Sequence, residues 1–320
     1  MAHYNICLDV GGTKVLGAIF NENDEIIFRL KKRSTSRGTG SADVEQVIVD
    51  VVEEMIASSG IDKSEIHAIA SCAPGVIDQD RGVVLFTPNL PWRDYDIRSA
   101  MMQRFGVPFF VGNDVNLGVL GEHEYGAAKG YNNVVGFFVG TGMGGGLILN
   151  GELFTGNQCK AAEYGHMILD PKGPKCNCGQ RGCLEAYSSK TGMTNYIKKQ
   201  IAKGRETMMA DAVSEGVFRS KKLKKAVAAG DPVACEAVDR ACHWLAVATG
   251  SMINTLSPDL VLLGGGVIEA VGDLFLAKVT DEVGRYCWPE ILESTDIKIA
   301  ELGDDSILYG DLALIEEHMG

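Results

Sequence analysis

No uninterrupted apolar stretch in this sequence reaches the roughly 20 residues a membrane span needs. The N-terminus, MAHYNICLDVGG, also lacks the basic n-region and long apolar h-region of a secretory leader. Both absences point to a cytoplasmic protein with no membrane partner. Long runs of one charge are missing as well. The 42 acidic residues exceed the 30 basic ones, for a net charge of −12, which argues against a nucleic-acid surface and for small-molecule partners. A disulfide framework is equally absent. The nine cysteines are odd in number, and Cys7, Cys72, Cys159, Cys235, Cys242 and Cys287 stand singly in mostly apolar surroundings, as reduced core thiols do.

What is present is enough apolar material, 46% of 320 residues, for two cores rather than one. Two α/β domains with a cleft between them are therefore expected. Residues 5–20 read as strand, Gly-Gly turn and strand, followed by the polar turn NENDE and a third strand. Val44, Val47, Ile48, Val51, Val52, Met55 and Ile56 then carry the spacing of a helix with one buried face. The strand EIHAIASCA, a helix near 95–105, the strand VPFFVGND and a helix from Val115 continue the alternation. From Val134 to Phe154 the pattern of strand, Gly-rich turn and strand returns, so the chain reads as an internal duplication. The second half predicts a long helix over 184–203, another over Pro232–Leu256, the strand PDLVLLGG, a helix over 268–285, the strand DIKIAEL and a final helix. The lysine-rich segment 218–231 reads as a solvated helix face or loop.

Three glycine motifs and one Asn-Asp pair could carry chemistry. Asp9-Val10-Gly11-Gly12-Thr13-Lys14 lies between two strands, where backbone, hydroxyl and ammonium can wrap a phosphate and Asp9 can hold Mg2+ through water. Gly140-Thr141-Gly142 begins a second such turn, running to Gly146, and two turns facing each other would grip one polyphosphate. Gly264-Gly265-Gly266 precedes a helix and could lie against an adenosine. Each alone reads equally well as a hairpin turn or as helix–strand packing. Asn113-Asp114 closes a strand where a carboxylate can meet a substrate hydroxyl, or simply cap the helix. Finally, His166, Cys176, Cys178 and Cys183 place one imidazole and three thiols within eighteen residues, the ligand set of a closed tetrahedral Zn2+ site. A disulfide and inert thiols are the alternatives.

Taken together, LDVGGTK, APGVID, GNDVN, GTGMGGG, EYGH and CNCGQRGCLE resemble the ROK (repressor, open reading frame, kinase) family of sugar kinases, in family order over nearly the whole chain. One departure is Cys72, where members commonly carry Gly. The resemblance implies an actin-like, hexokinase-like (ribonuclease H-like) duplicated fold. Its small N-terminal domain would span 1–116 and be completed by the helix 306–320, and its large domain would span 117–305 and carry a zinc loop at 163–185. It implies ATP-dependent phosphorylation of a hexose, glucose first, with N-acetylmannosamine, N-acetylglucosamine, fructose or a β-glucoside as alternatives. Asp114 would be the general base. Gly75, Asn89, Asn113, Glu163, His166 and Glu185 would contact the sugar, Asp9 would serve Mg2+, and Gly11, Gly12, Thr13, Lys14, Thr141, Gly142 and Gly265 the nucleotide. A structural zinc would hold the sugar-binding carboxylates rigidly in a loop with little apolar content of its own. The family's repressors carry an N-terminal DNA-binding domain, for which a first strand beginning near Asn5 is expected to leave no room. A homo-oligomer, dimer or tetramer, is the expected assembly.

Overall fold

The computed structural model describes residues 3–11, 14–33, 41–87 and 92–319, so Gly12, Thr13 and Asn89, with the roles expected of them, lie outside the described residues. The chain forms two units, one of Met1–Lys129 with Thr155–Ala161 and Asp305–Gly320, the other of Gly130–Phe154 with Ala162–Asp304. The first runs β1 (Tyr4–Val10), β2 (Lys14–Phe20), β3 (Ile26–Arg33), α1 (Ser41–Ser59), β4 (Ile66–Ala73), β5 (Val76–Asp78), β6 (Val83–Phe86), β7 (Arg93–Asp96), α2 (Ile97–Phe105), β8 (Phe109–Asn113) and α3 (Asp114–Tyr125). Its main sheet has the order β3-β2-β1-β4-β8. The meander β1–β3 is antiparallel, whereas β4 and β8 join in parallel because helices cross over between the strands. The predicted apolar face of α1 supplies Val44, Ile48, Val51, Val52 and Met55 to the core beneath that sheet.

The second unit repeats the plan with β9 (Val134–Val139), β10 (Met143–Leu149), β11 (Glu152–Leu153), α4 (Glu185–Ser188), α5 (Lys190–Ile201), α6 (Ala210–Ser214), α7 (Ser220–Ala228), α8 (Pro232–Leu256), β12 (Leu260–Gly264), α9 (Ile268–Val283), α10 (Pro289–Leu292) and β13 (Asp296–Ile299). Its sheet order, β11-β10-β9-β12-β13, matches the first position for position, with the same antiparallel meander and the same two parallel additions. The duplication is thus a property of the backbone. The lysine-rich segment is α7, with Leu223 and Ala226 buried and its lysines outside.

The last helix, α11 (Ser306–Met319), returns to the first unit. It crosses α3 at backbone distance, since a Cβ on Gly310 would lie 1.9 Å from the Leu117 carbonyl oxygen and one on Gly121 2.1 Å from that of Ser306. The adjoining Asp311 is fully buried and accepts the Leu8 N–H of β1 at 3.0 Å. Gly310→Ala should therefore lower unfolding stability by about 3 kcal/mol, as overpacking against rigid backbone does. A shift of the thermal midpoint within error of the wild type would contradict this contact.

The same contact corrects the expected boundary at 116–117. It falls inside α3, which α11 holds in the first unit, and the chain leaves that unit after Lys129. The long helix expected over 184–203 is also two. Ser189 adopts extended backbone (φ −115°, ψ 167°), and its side chain accepts the Gly192 N–H as the cap of α5. The small sheet β5-β6-β7 had no counterpart in the expectations.

Candidate active site

In the first unit the acidic side chains gather at the carboxyl ends of β1 and β8. Asn113 caps α3, its Oδ1 accepting the Val115 and Asn116 N–H groups at 3.0 Å each. Its Nδ2 donates to the Gly75 carbonyl at 2.9 Å. Asn113, not Asp114, is the cap, and the Asp114 carboxylate accepts the Val115 N–H, also at 3.0 Å. Gly75 has φ +110°, and a Cβ there would stand 2.2 Å from the Phe86 carbonyl oxygen. Only glycine can make this turn, and Asn113 fastens it to the start of α3.

Asp114 is half-buried, and its pKa is raised to about 6. Burial is the largest cause, the Val115 N–H opposes it, and the negative charge of Asp9 adds to the rise. Asp9 in turn accepts the Cys72 thiol at 3.5 Å. Burial first, then the charges of Asp9, Asp311 and Asp114, hold that thiol well above its usual range, so it stays a donor. Cys72 thus gives Asp9 a hydrogen bond that a glycine could not. A carboxylate ending a strand beside a second carboxylate is the oxygen-rich donor set a hydrated Mg2+ accepts, so the residues fit that ion. Gly11 donates to the Lys14 carbonyl at 2.9 Å and closes the turn between β1 and β2.

In the second unit the turn proper is only Gly140–Gly142, closed by Gly140 N–H to the Gly142 carbonyl at 2.9 Å. Gly144, Gly145 and Gly146 are strand residues, paired with Phe138, Phe137 and Gly136. Their smallness serves packing. A Cβ on Gly145 would meet the Ala162 carbonyl oxygen at 2.3 Å, and one on Gly165 that of Met143 at 2.2 Å. The segment carrying Glu163 and His166 therefore lies directly on β10. Both side chains are exposed there, and a tight turn over Tyr164–His166 sets them on one edge.

The metal-ligand loop is a set of short hairpins, with bridges pairing Ile168 to Cys183 and Lys175 to Arg181. Gly182 (φ +74°) is obligatory, because a Cβ would stand 1.6 Å from the Asp170 carbonyl oxygen. The ligand atoms of His166, Cys176, Cys178 and Cys183 all lie within 4.8 Å of one another. Cys178 and Cys183 sulfurs are 3.7 Å apart, and the Cys176 sulfur is 3.9 Å from His166 Nδ1. Tetrahedral zinc with Zn–S near 2.3 Å requires edges of about 3.6–3.8 Å; the Cys178–Cys183 edge matches this, and the set of four, within 4.8 Å of one another, needs only a small contraction to hold the ion. With Nδ1 toward the metal, Nε2 of His166 is left as a donor.

Glu185 does something its sequence position did not reveal. Its Oε2 accepts the Met143 N–H at 3.0 Å, and its Oε1 is 3.4 Å from the Cys176 sulfur, so one carboxylate ties the glycine turn to the metal loop. The turn is further held by Lys190 N–H to Gly140 and by the Thr191 N–H and hydroxyl to Thr141. Gly265 (φ +86°) packs on Val139, and a Cβ on Gly266 would lie 3.4 Å from Lys190 Nζ. Lys190 thus stands between two glycine turns, its pKa lowered chiefly by burial. Nothing in the periodicity singled it out, although a lysine opening a helix after two serines is an available signal.

The model of the ROK family matches residues 5–318. Glucokinase of Thermotoga maritima is 32% identical over 317 residues, covering 98% of this chain and 98% of that protein. The xylose repressor of Bacillus spizizenii is 29% identical, covering 99% of this chain and 78% of that protein. The crystal structure of a ROK family glucokinase from Streptomyces griseus, in complex with glucose and AMPPNP, superposes with a TM-score of 0.82 at 28% identity, covering 98% of this chain and 99% of that one.

Proposed function

Because this chain belongs to the ROK family, we propose that it is an ATP-dependent sugar kinase that phosphorylates a hexose, glucose at its 6-hydroxyl. The observation that carries this reading is Asp114, a carboxylate with a pKa of about 6 at a strand end, where it can take a hydroxyl proton near neutral pH. A solved relative whose complex holds glucose and AMPPNP supports the choice of ligands.

In this reading Asp114 accepts the proton as the acceptor oxygen attacks the γ-phosphorus. Asn113 and Gly75 hold the Asp114 backbone in place. Glu163 and the Nε2 of His166 hold sugar hydroxyls, and Glu185 and Asn89 are assigned to the same subsite. Gly11, Gly12, Thr13, Lys14, Thr141, Gly142 and Gly265 serve the nucleotide, with Lys190 added to them. Asp9 would hold Mg2+, which neutralises phosphate charge when bound. Zinc on His166, Cys176, Cys178 and Cys183 would be structural, since four protein ligands leave no open position. The proposed setting is the cytoplasm, as a dimer or tetramer.

Measuring ADP release with glucose, fructose, N-acetylglucosamine, N-acetylmannosamine and a β-glucoside side by side tests the acceptor. Glucose should give the highest kcat/KM, and a tenfold preference for another sugar would replace it. The pH profile tests the base. The working form is the carboxylate, present above its pKa, so kcat/KM should hold above about 6 and fall as Asp114 becomes protonated, approaching tenfold per unit at lower pH. An ordinary aspartate would keep the rate level down to about pH 4.

A further inference from the structure

We infer that the second unit carries an anion site, separate from the glycine turns, that binds a small phosphate compound. A cavity of about 640 Å3 opens between the outer side of the metal loop, α5 and α8, and six cations line it: Lys172, Lys175, Arg181, Lys199, Lys203 and Arg240. The protein as a whole carries −12, so this concentration runs against its overall charge.

Among the described residues none of the six is in an ion pair. The one carboxylate lining the cavity, Asp170, is already engaged, accepting the Tyr187 hydroxyl at 2.8 Å and the Lys172 N–H at 3.0 Å. Arg240 is held by stacking, 4.5 Å from the Tyr187 ring centre and 5.5 Å from that of Tyr196. Its orientation is fixed without consuming its charge. Like charges converging on one concavity repel one another, and a multiply charged anion reverses that cost. Two lysines, two arginines or a mixture around phosphate oxygens is the pattern such anions select. Asn195 and Gln200, also on the wall, could serve hydroxyls of an attached polyol.

The ligand chemistry is a dianionic phosphate group, whether free or esterified to a sugar. The full zinc-loaded chain should be titrated calorimetrically at low salt with glucose and AMPPNP already saturating the catalytic ligands. Glucose 6-phosphate and inorganic phosphate are the two probes. The first is chosen from the proposed activity; the second is independent of it, so a failure of that activity leaves the phosphate arm intact. One equivalent of either probe should bind, with affinity falling as salt is raised. Binding of glucose 6-phosphate alone assigns a sugar phosphate, and equal binding of both assigns the bare phosphate group. Lys199→Glu/Lys203→Glu, two exposed changes on α5 and the turn that follows it, should weaken that binding by roughly tenfold or more at unaltered basal turnover. Lys199→Gln/Lys203→Gln, the milder pair, should weaken it in the same direction. No heat beyond dilution with either probe, or unchanged binding in both variants, would overturn the site.

Discussion

Asp114→Asn should leave the fold and glucose affinity close to wild type and lower kcat by roughly 10²–10⁴, the usual worth of a positioned general base. Asparagine keeps an oxygen for the Val115 N–H, which Asp114 accepts at 3.0 Å, so the start of α3 has no reason to rearrange. It also removes the proton acceptor with the pKa of about 6. The low-pH fall in rate should vanish with it, leaving a low and nearly level profile. Single-turnover measurement separates this from slowed product release. A variant keeping more than about a tenth of wild-type kcat would remove Asp114 from the role.

Replacing Cys178 by Ser should cost the protein its zinc, from about one ion per chain to none, because three remaining ligands hold the metal poorly. Glucose affinity should then fall by roughly 10–100-fold while AMPPNP binding changes little. The asymmetry has a structural basis. His166 is itself one of the four proposed ligands, and Glu163 sits at the head of the same tight turn, its carbonyl accepting the His166 N–H at 3.0 Å. The glycine turn has independent ties to Lys190 and Thr191 that survive. Elemental analysis with separate glucose and AMPPNP titrations reads all three quantities. Turnover abolished with glucose binding intact would make the zinc catalytic, and zinc-free wild type with full activity would remove the metal altogether.

The repeated pattern of apolar run, glycine turn and apolar run was enough to read the duplication, because strand pairing on one buried face leaves a period-2 trace in each copy. The ligand spacing was legible for a related reason, since hairpins this short bring their own ends together. Glycine was harder. Gly140–Gly142 and Gly144–Gly146 look alike in sequence, yet the former make a turn and the latter admit the backbone of residues 162–165. A close approach is set by a partner some twenty residues away, which local pattern does not contain. The same holds for the break at Ser189, where one serine among good helix formers becomes a cap. Strands of three or four residues such as β5 to β7 are too short to show a period at all.

The hydrogen bond from Leu8 to Asp311 spans 303 residues, and it has a kinetic meaning. During synthesis β1 emerges early but cannot find this partner until α11 has left the ribosome, long after the second unit is available. The core of the second unit, by contrast, draws on residues 135–299 and takes nothing from the first strand or the last helix. Closing the longer loop adds little to equilibrium cost, since that term grows only with the logarithm of length, but it delays the event. The segment synthesised first should thus acquire exchange-protected amides last, with β1 waiting, open on the side that α11 covers, as the second unit folds ahead of it.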